Sequence, residues 1–344
     1  MKSVQVTGVG SEIPTRRITN QDWEKLVDTS DQWIRDNLGI RERARIEANR
    51  TPADLGVAAS RKALEMSALP ADRLDFVLCA TNSQADLFPS TASRIQELIG
   101  AERATAMDIQ AGCTGWIYGM QLAGALVRSG EAERVLVVGT EALTRSLNLY
   151  DRSSSLFGDG SGACVVEHRA DREPRRLKGI VAVTRTIPSL AMHHPTIYSE
   201  HENALELYLS RKDLTTVRRP LPVMDGKASL KLALTRTLEA VDEVLSKAKA
   251  DWGIEPGDIA HFIPHQTNVH IVRRFCEHVG HAFETIPFTL EKYGGISTAG
   301  IPTGLAEHLA AGHIKTGDLI LVCGYGAGFT VGAMILEWSG SAKS

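Results

Sequence analysis

The chain repeats itself at long range. LPADRLDFVLCATNS, starting at Leu69, resembles EPGDIAHFIPHQTN, starting at Glu255, and each is followed by a helical pattern ending in glycine, at Gly100 and Gly280. GEAERVLVVGTEA from Gly130 pairs with IKTGDLILVCGYGAG from Ile314, and GSGACVVEH from Gly160 with FTVGAMILEW from Phe329. The matches share an offset of roughly 170 to 185 residues, far beyond the 20 to 50 of solenoid repeats. They predict duplication of a large unit, against the alternative that any two α/β halves look alike. The halves meet near residues 168–180, so an N-terminal half over 1–175 and a C-terminal half over 176–344 are expected.

Short β-branched apolar runs bounded by Gly or Asp read as buried strands: Leu74–Ala80, Arg134–Gly139, Gly162–Glu167, Ile259–Pro264, Asp318–Cys323 and Gly332–Glu337. Between them lie helical patterns, the clearest with Leu230, Leu234, Leu238, Val241 and Leu245 along one stripe. Strands alternating with helices make the fold class α/β. One segment, Ser189–Val223, has no counterpart in the first half and reads as an insertion that shapes a lid or substrate pocket. It holds His193, His194 and His201 and a short helical pattern at Asn203–Ser210. The H-H-x6-H spacing fits no compact metal-ligand set, so no metal is expected.

The formal charge of −3 excludes a basic nucleic-acid footprint. No apolar run approaches the roughly 18 residues of a membrane span. The opening MKSVQVTGVGSEIPTRR lacks the apolar core of a signal peptide. Five cysteines without a C-x-x-C pair suggest a reducing compartment, and the expectation is a cytoplasmic enzyme.

Cys79, Cys164 and Cys323 sit inside apolar strand patterns, and Cys276 inside a helix, where a thiol is usually packing. Cys113 differs. In DIQAGCTGWIYGMQL it stands between a strand-like run and a helix, flanked by Gly112 and Gly115. A cysteine there meets the positive end of a helix dipole, which favours thiolate. Position alone leaves it as either a nucleophile or a helix-cap or core residue. His265 ends the apolar run AHFIPH ahead of a helix, where open α/β sheets place their sites. The glycine-rich turn GYGAGFTVG, Gly324–Gly332, follows another strand, and its N–H groups can cradle an oxyanion. It lacks both the dinucleotide fingerprint and the P-loop lysine.

VDTSDQWIRDNLGIRER, FPSTASRIQELIG, AGCTGWIYG, RVLVVGTEAL, FGDGSGA, PHQTN and YGAGFTVG occur in this order over nearly the whole chain. Together they resemble β-ketoacyl-acyl-carrier-protein synthase III, a condensing enzyme of the thiolase superfamily. The resemblance implies a thiolase-like duplicated αβαβα five-layer fold, a homodimer, and no cofactor beyond an acyl-carrier-protein or coenzyme A thioester as substrate. It implies that Cys113 is acylated, that His265 is the catalytic histidine, and that N–H groups of Cys113 and near Ala327 form the oxyanion hole. Trp33 and Arg152 match residues that sandwich the coenzyme A adenine, and Phe88 one that lines the acyl pocket across the dimer. Asn268 is carried with the substrate-binding residues.

One departure bears on function. Members of this family carry a G-N-T-S run whose Asn completes a Cys-His-Asn triad; here the stretch is KYGGISTAGIP, and Gly295 stands in the Asn position. No Asn lies between Tyr293 and Pro302. Some relatives use an Asp five residues after the histidine, but His270 is there. Asn268 and Ser297 remain as candidate third members. Decarboxylative condensation needs His and Asn donors on the malonyl carbonyl, and losing one such donor costs roughly 10²–10³ in rate. Transfer to an alcohol or amine needs only a thiolate, an oxyanion hole and a base. The expected function is therefore acyl transfer, in secondary metabolism, from a carrier-protein or coenzyme A thioester to a small-molecule hydroxyl or amino acceptor. A starter-unit condensing enzyme and a non-catalytic acyl-holding subunit are the alternatives. Arg273 and Arg274 either dock an acidic carrier protein or form an ordinary solvated face.

Overall fold

The computed structural model describes residues 2–147, 151–170, 174, 176–193 and 223–340. One sheet contains β1 (Gln5–Glu12), β2 (Phe76–Ala80), β3 (Thr105–Ile109), β4 (Arg134–Ala142) and β5 (Asp159–Glu167), in the order β1-β5-β4-β2-β3. A second contains β6 (Val181–Thr186), β7 (Ile259–Pro264), β8 (Leu319–Gly326) and β9 (Thr330–Glu337), in the order β6-β9-β8-β7. The pairing repeats. β1–β5 and β5–β4 are antiparallel and β4–β2 parallel, as β6–β9 and β9–β8 are antiparallel and β8–β7 parallel. Only β3, parallel to β2 at the edge of the first sheet, has no counterpart among the described residues.

Seven helices serve the layers: α1 (Asp31–Leu38), α2 (Pro52–Ser67), α3 (Thr91–Ile99), α4 (Gly115–Ser129), α5 (Gly226–Trp252), α6 (Val269–Val279) and α7 (Gly300–Ala310). Side chains alternate across a strand, so a strand covered on both faces must be apolar at every position. In β4, Val135 and Val137 join the central core with Trp116, Ile117 and Met120 of α4 and Ile301 and Leu305 of α7. Leu136 and Val138 turn the other way, onto α2 and α3. In β8, Ile320 and Val322 face the same central core, whereas Leu319, Leu321 and Cys323 pack under α5 and α6. Three cores separating five layers, α2/α3, sheet, α4/α7, sheet, α5/α6, give the thiolase-like αβαβα architecture.

Two details depart from the sequence expectations. The stripe of α5 is rotated: its fully buried line is Ala233, Thr237, Ala240, Val241, Val244 and Ala248, whereas Leu230 is exposed and Leu234, Leu238 and Leu245 flank the seam. Small residues let the helix approach the sheet, and the leucines close the sides. Strand β1 escapes a propensity reading because it contains Gly8 and Gly10, poor strand residues. Both are required by α2, since a Cβ at Gly8 would collide with the Ala63 carbonyl and one at Gly10 with that of Ala59.

Of the expected insertion at 189–223, residues 194–222 lie outside the described residues, and His194, His201 and Asn203–Ser210 with them. At its base Met192–His193 pairs antiparallel with Val223–Met224. No helix among the described residues is long and apolar enough to cross a membrane.

His308 of α7 packs against His261 and His313, with its Nε2 3.3 Å from His261 Nδ1, and burial followed by these two neighbours pushes it down to about 4. His265 is likewise pushed down to about 4 by burial. A histidine held neutral in the folded state binds fewer protons than in the unfolded chain once the pH falls below about 6.5. Stability is therefore expected to fall between pH 6.5 and about 4, by about 1.4 kcal/mol per pH unit for each histidine. Urea unfolding at about pH 7 and about pH 5 checks this; coincident midpoints would contradict it.

Candidate active site

Cys113 lies in the turn between β3 and α4, two residues ahead of the helix. Gly112 holds φ +54, and a Cβ there would lie 2.6 Å from both N and O of Ala327. From the other side, a Cβ on Gly326 would collide with the Cys113 nitrogen. The turn therefore docks backbone to backbone on the end of β8, and only glycines permit that distance. Thr114 and Thr330 tie the contact: their hydroxyls are 2.9 Å apart, and each donates to the Ala111 carbonyl, at 2.8 and 2.9 Å. The backbone N–H groups of Cys113 and Ala327 act on the thiol in the opposite sense to burial, favouring its thiolate. Cys113 as a residue is only half-buried, yet surrounding protein desolvates its sulfur and pushes the thiol up to about 11.

His265 follows β7 and donates its backbone N–H to Cys323 O at 2.7 Å. It is 2% exposed, and neither ring nitrogen has a hydrogen-bond partner among the described residues. The Tyr325 ring meets it edge-on with centroids 6.0 Å apart, and the Tyr325 hydroxyl bonds Thr267. A Cβ on Gly300 would lie 3.7 Å from His265 Nδ1 and 3.9 Å from Ile296 Cγ1, so the ring faces the start of α7. Buried and unpaired, the imidazole is neutral at physiological pH and free to accept or donate a proton.

Two stretches match family models: residues 107–183 match 3-oxoacyl-[acyl-carrier-protein] synthase III and residues 249–338 its C-terminal part. The β-ketoacyl-[acyl-carrier-protein] synthase III of Clostridium acetobutylicum is 34% identical over 98% of this chain and 100% of its own. The chain belongs to the 3-oxoacyl-[acyl-carrier-protein] synthase III family. The solved synthase III of Aquifex aeolicus superposes on this family member with a TM-score of 0.84 at 34% identity, covering 97% of this chain and 100% of that one. A priming β-ketosynthase from the R1128 polyketide pathway gives 0.84 at 30% identity, over 98% and 97%.

Neither candidate third member reaches the histidine of this synthase III-family chain. Asn268 caps α6, accepting from the N–H groups of His270 and Ile271, and donates to Asn37 O at 2.6 Å. Its oxygen caps the helix and one of its two Nδ2 hydrogens joins the helix to α1, which leaves one N–H donor. His270 is held by its Nε2 at Asp36 O, 2.9 Å away. The Ser297 hydroxyl accepts from Asn82 Nδ2 at 3.2 Å instead. Gly295 lies against Leu156, donating to its carbonyl at 2.7 Å.

Arg152 stacks on Trp33, its guanidinium 4.7 Å from a ring centroid, and donates to Asp28 O at 3.0 Å. No aromatic base fits between the two as they stand, so a nucleotide there requires Arg152 to swing outward. Phe88 is 85% exposed beside exposed Leu87. Arg273 covers the Phe283 ring at 4.0 Å, Arg274 pairs with Glu277 one turn on, and both are exposed.

A buried polar cluster in the interior carries no signal in the sequence. Glu141, fully buried at the end of β4, accepts from Asn82, Ser83 and Thr298. The run VVGTEA reads as a strand leaving into a loop, where a carboxylate is unremarked. Its burial against the second half is a tertiary fact with no local signal.

Proposed function

We propose that this chain transfers acyl groups from a carrier-protein or coenzyme A thioester to a hydroxyl or amino acceptor in secondary metabolism. The carrying observation is Gly295 where the family's triad asparagine belongs, together with a His265 ring whose nitrogens have no hydrogen-bond partner among the described residues. The Cys113 thiolate attacks the thioester carbonyl, and the oxyanion that forms is held by the Cys113 and Ala327 N–H groups. The donor thiol leaves, and the acyl group stays on sulfur. An acceptor hydroxyl or amine then gives its proton to His265 as it attacks. Every part of this sequence of steps is retained. The part dropped is a second donor on a malonyl carbonyl, where charge grows as carbon dioxide departs.

Trp33 and Arg152 would bind the nucleotide of a coenzyme A donor, and a second copy of the chain would pair along the open edge of β3, bringing its Phe88 to the acyl pocket. Decarboxylative starter-unit condensation is the second reading, favoured by the names of the relatives. A non-catalytic acyl-holding subunit is the third, and the intact Cys113 and His265 disfavour it.

Purified protein loaded with an acyl thioester and offered a malonyl thioester is expected to acylate Cys113 without releasing carbon dioxide. A β-ketoacyl product would defeat the acyl-transfer reading. Gly295→Asn keeps an ordinary φ, and its Cβ, 3.3 Å from Leu156 O, requires that carbonyl to give by a few tenths of an ångström. It is expected to raise malonyl decarboxylation by at least about tenfold, towards the 10²–10³ that such a donor supplies elsewhere. An unchanged rate would remove the electrostatic reason for the assignment.

A further inference from the structure

A second concave site lies far from Cys113. A cavity of about 600 Å³ opens where the last turn of α4, the residues ahead of β1 and β6, the residue after β5 and the end of α5 meet. That volume falls within the roughly 300–1,000 Å³ of small-ligand sites. Arg128, Lys2, Lys178, His168 and Trp252 line it. Arg128 is the last residue but one of α4, whose 15 residues span about 22 Å. The helix that starts beside the nucleophile therefore ends at this cavity, out of reach of the acyl chemistry.

Several of the lining groups are held in place. His168 Nδ1 donates to Ser3 O at 3.1 Å and lies 3.3 Å from Ser3 Oγ. Its Nε2 is left for a ligand, accepting when the ring is neutral and donating when it is protonated. The Arg128 guanidinium lies against Gly179, where a Cβ would collide with Nη2, and Nη2 donates to Ile180 O at 3.4 Å. Gly179 thus makes the room that the guanidinium occupies. Arg128 forms no ion pair among the described residues. Lys2 pairs with Glu133 at 3.1 Å, but Glu133 is shared with Arg134 at 3.0 Å. No acidic side chain is among the described lining residues. Trp252, half-buried at the end of α5, packs on the core under α5 and α6 and gives the cavity an indole wall.

We propose that this cavity binds a small organic phosphate carrying a planar ring, with Arg128, Lys2 and His168 on the phosphate and Trp252 against the ring. The helix dipole alone accounts for one basic residue in the last turn of α4. It does not account for lysines that reach the same cavity from the chain ahead of β1 and ahead of β6, in a protein of net charge −3. Like charges gathered around one space repel, and a bound anion relieves the repulsion. Guanidinium and ammonium donors match phosphate oxygens, the guanidinium in bidentate fashion. A bare phosphate would leave most of the volume empty, so the rest of the ligand is organic, and the indole favours a flat group that stacks.

Calorimetric titration of the whole protein with ADP and with inorganic pyrophosphate tests this. ADP is expected to bind, and pyrophosphate to bind more weakly. Gly179→Ala should weaken ADP binding at least about tenfold, because its Cβ displaces the guanidinium while leaving every charge in place. The collision is with the far end of a flexible side chain, so the fold survives. Arg128→Ala should act in the same direction, and Trp252→Leu should weaken ADP but not pyrophosphate. The binding event that depends on Gly179 is expected to persist in Arg152→Ala. ADP binding that is lost in Arg152→Ala but kept in Gly179→Ala and Arg128→Ala places the nucleotide beside Trp33 and overturns the proposal. So does an absence of ADP binding, or pyrophosphate binding as tight as that of ADP with Trp252→Leu without effect. Acyl loading of Cys113 is read separately, and none of these outcomes bears on the acyl-transfer reading.

Discussion

Cys113→Ala is expected to abolish acyl loading: incubation with an acyl thioester should leave the intact mass unchanged, with turnover down at least about 10³-fold. Alanine fits the turn, since the residue is half-buried and its neighbours Gly112 and Gly115 keep their conformations, so the fold should survive. Everything else in the reaction works on a thioester that must first be formed here. The four other cysteines are 2% exposed or less, and burial pushes each of their thiols up. None is available as a substitute. A persistent acyl adduct in the alanine variant would place the nucleophile elsewhere and end the mechanism as written.

Gly326→Ala should be nearly as damaging, and for a reason of shape alone. Its Cβ would overlap the Cys113 nitrogen and sit 3.0 Å from both the Gly112 carbonyl carbon and Thr330 Oγ1. Two of these three atoms are backbone, so no side chain can step aside. The Cys113 turn and the end of β8 must separate, and the two N–H groups that converge on the sulfur separate with them. Losing one oxyanion donor costs about 10²–10³ in rate, and that is the expected drop in acylation. Gly257→Ala is the matched control, because nothing lies within 4 Å of a Cβ there. If both variants acylate at the wild-type rate, the close docking of the halves is not what assembles the site.

Much of this was legible without coordinates, and the limits have physical causes. β4 and β8 announced themselves because both faces are covered, which forces an unbroken apolar run. Cys113 stood out from its glycines, and His265 from its place at the end of a strand. β1 did not, since the glycines that α2 demands are those that weaken a strand signal. β3 was half visible: as an edge strand it exposes Thr105 and Met107, so only part of its sequence is constrained by a core. Asn268 looked like a site residue from its motif, and most of its hydrogen-bonding capacity goes to capping α6 and holding α1. Glu141 and Thr298 were unreadable as partners because 157 residues separate them, and only docking of one half on the other brings them together.

The two central helices, α4 and α7, begin at the same place. A Cβ on Gly115, the first residue of α4, would lie 3.4 Å from Thr298 Cγ2, in the turn that leads into α7. Each helix presents roughly half a positive charge at its N-terminus, and two like ends meeting in a dry interior repel unless an anion lies between them. Glu141 lies there, accepting from Thr298 of that turn at 3.0 Å. The centre of this molecule is thus a socket for one negative charge, which the duplication built by pointing two equivalent helices at each other.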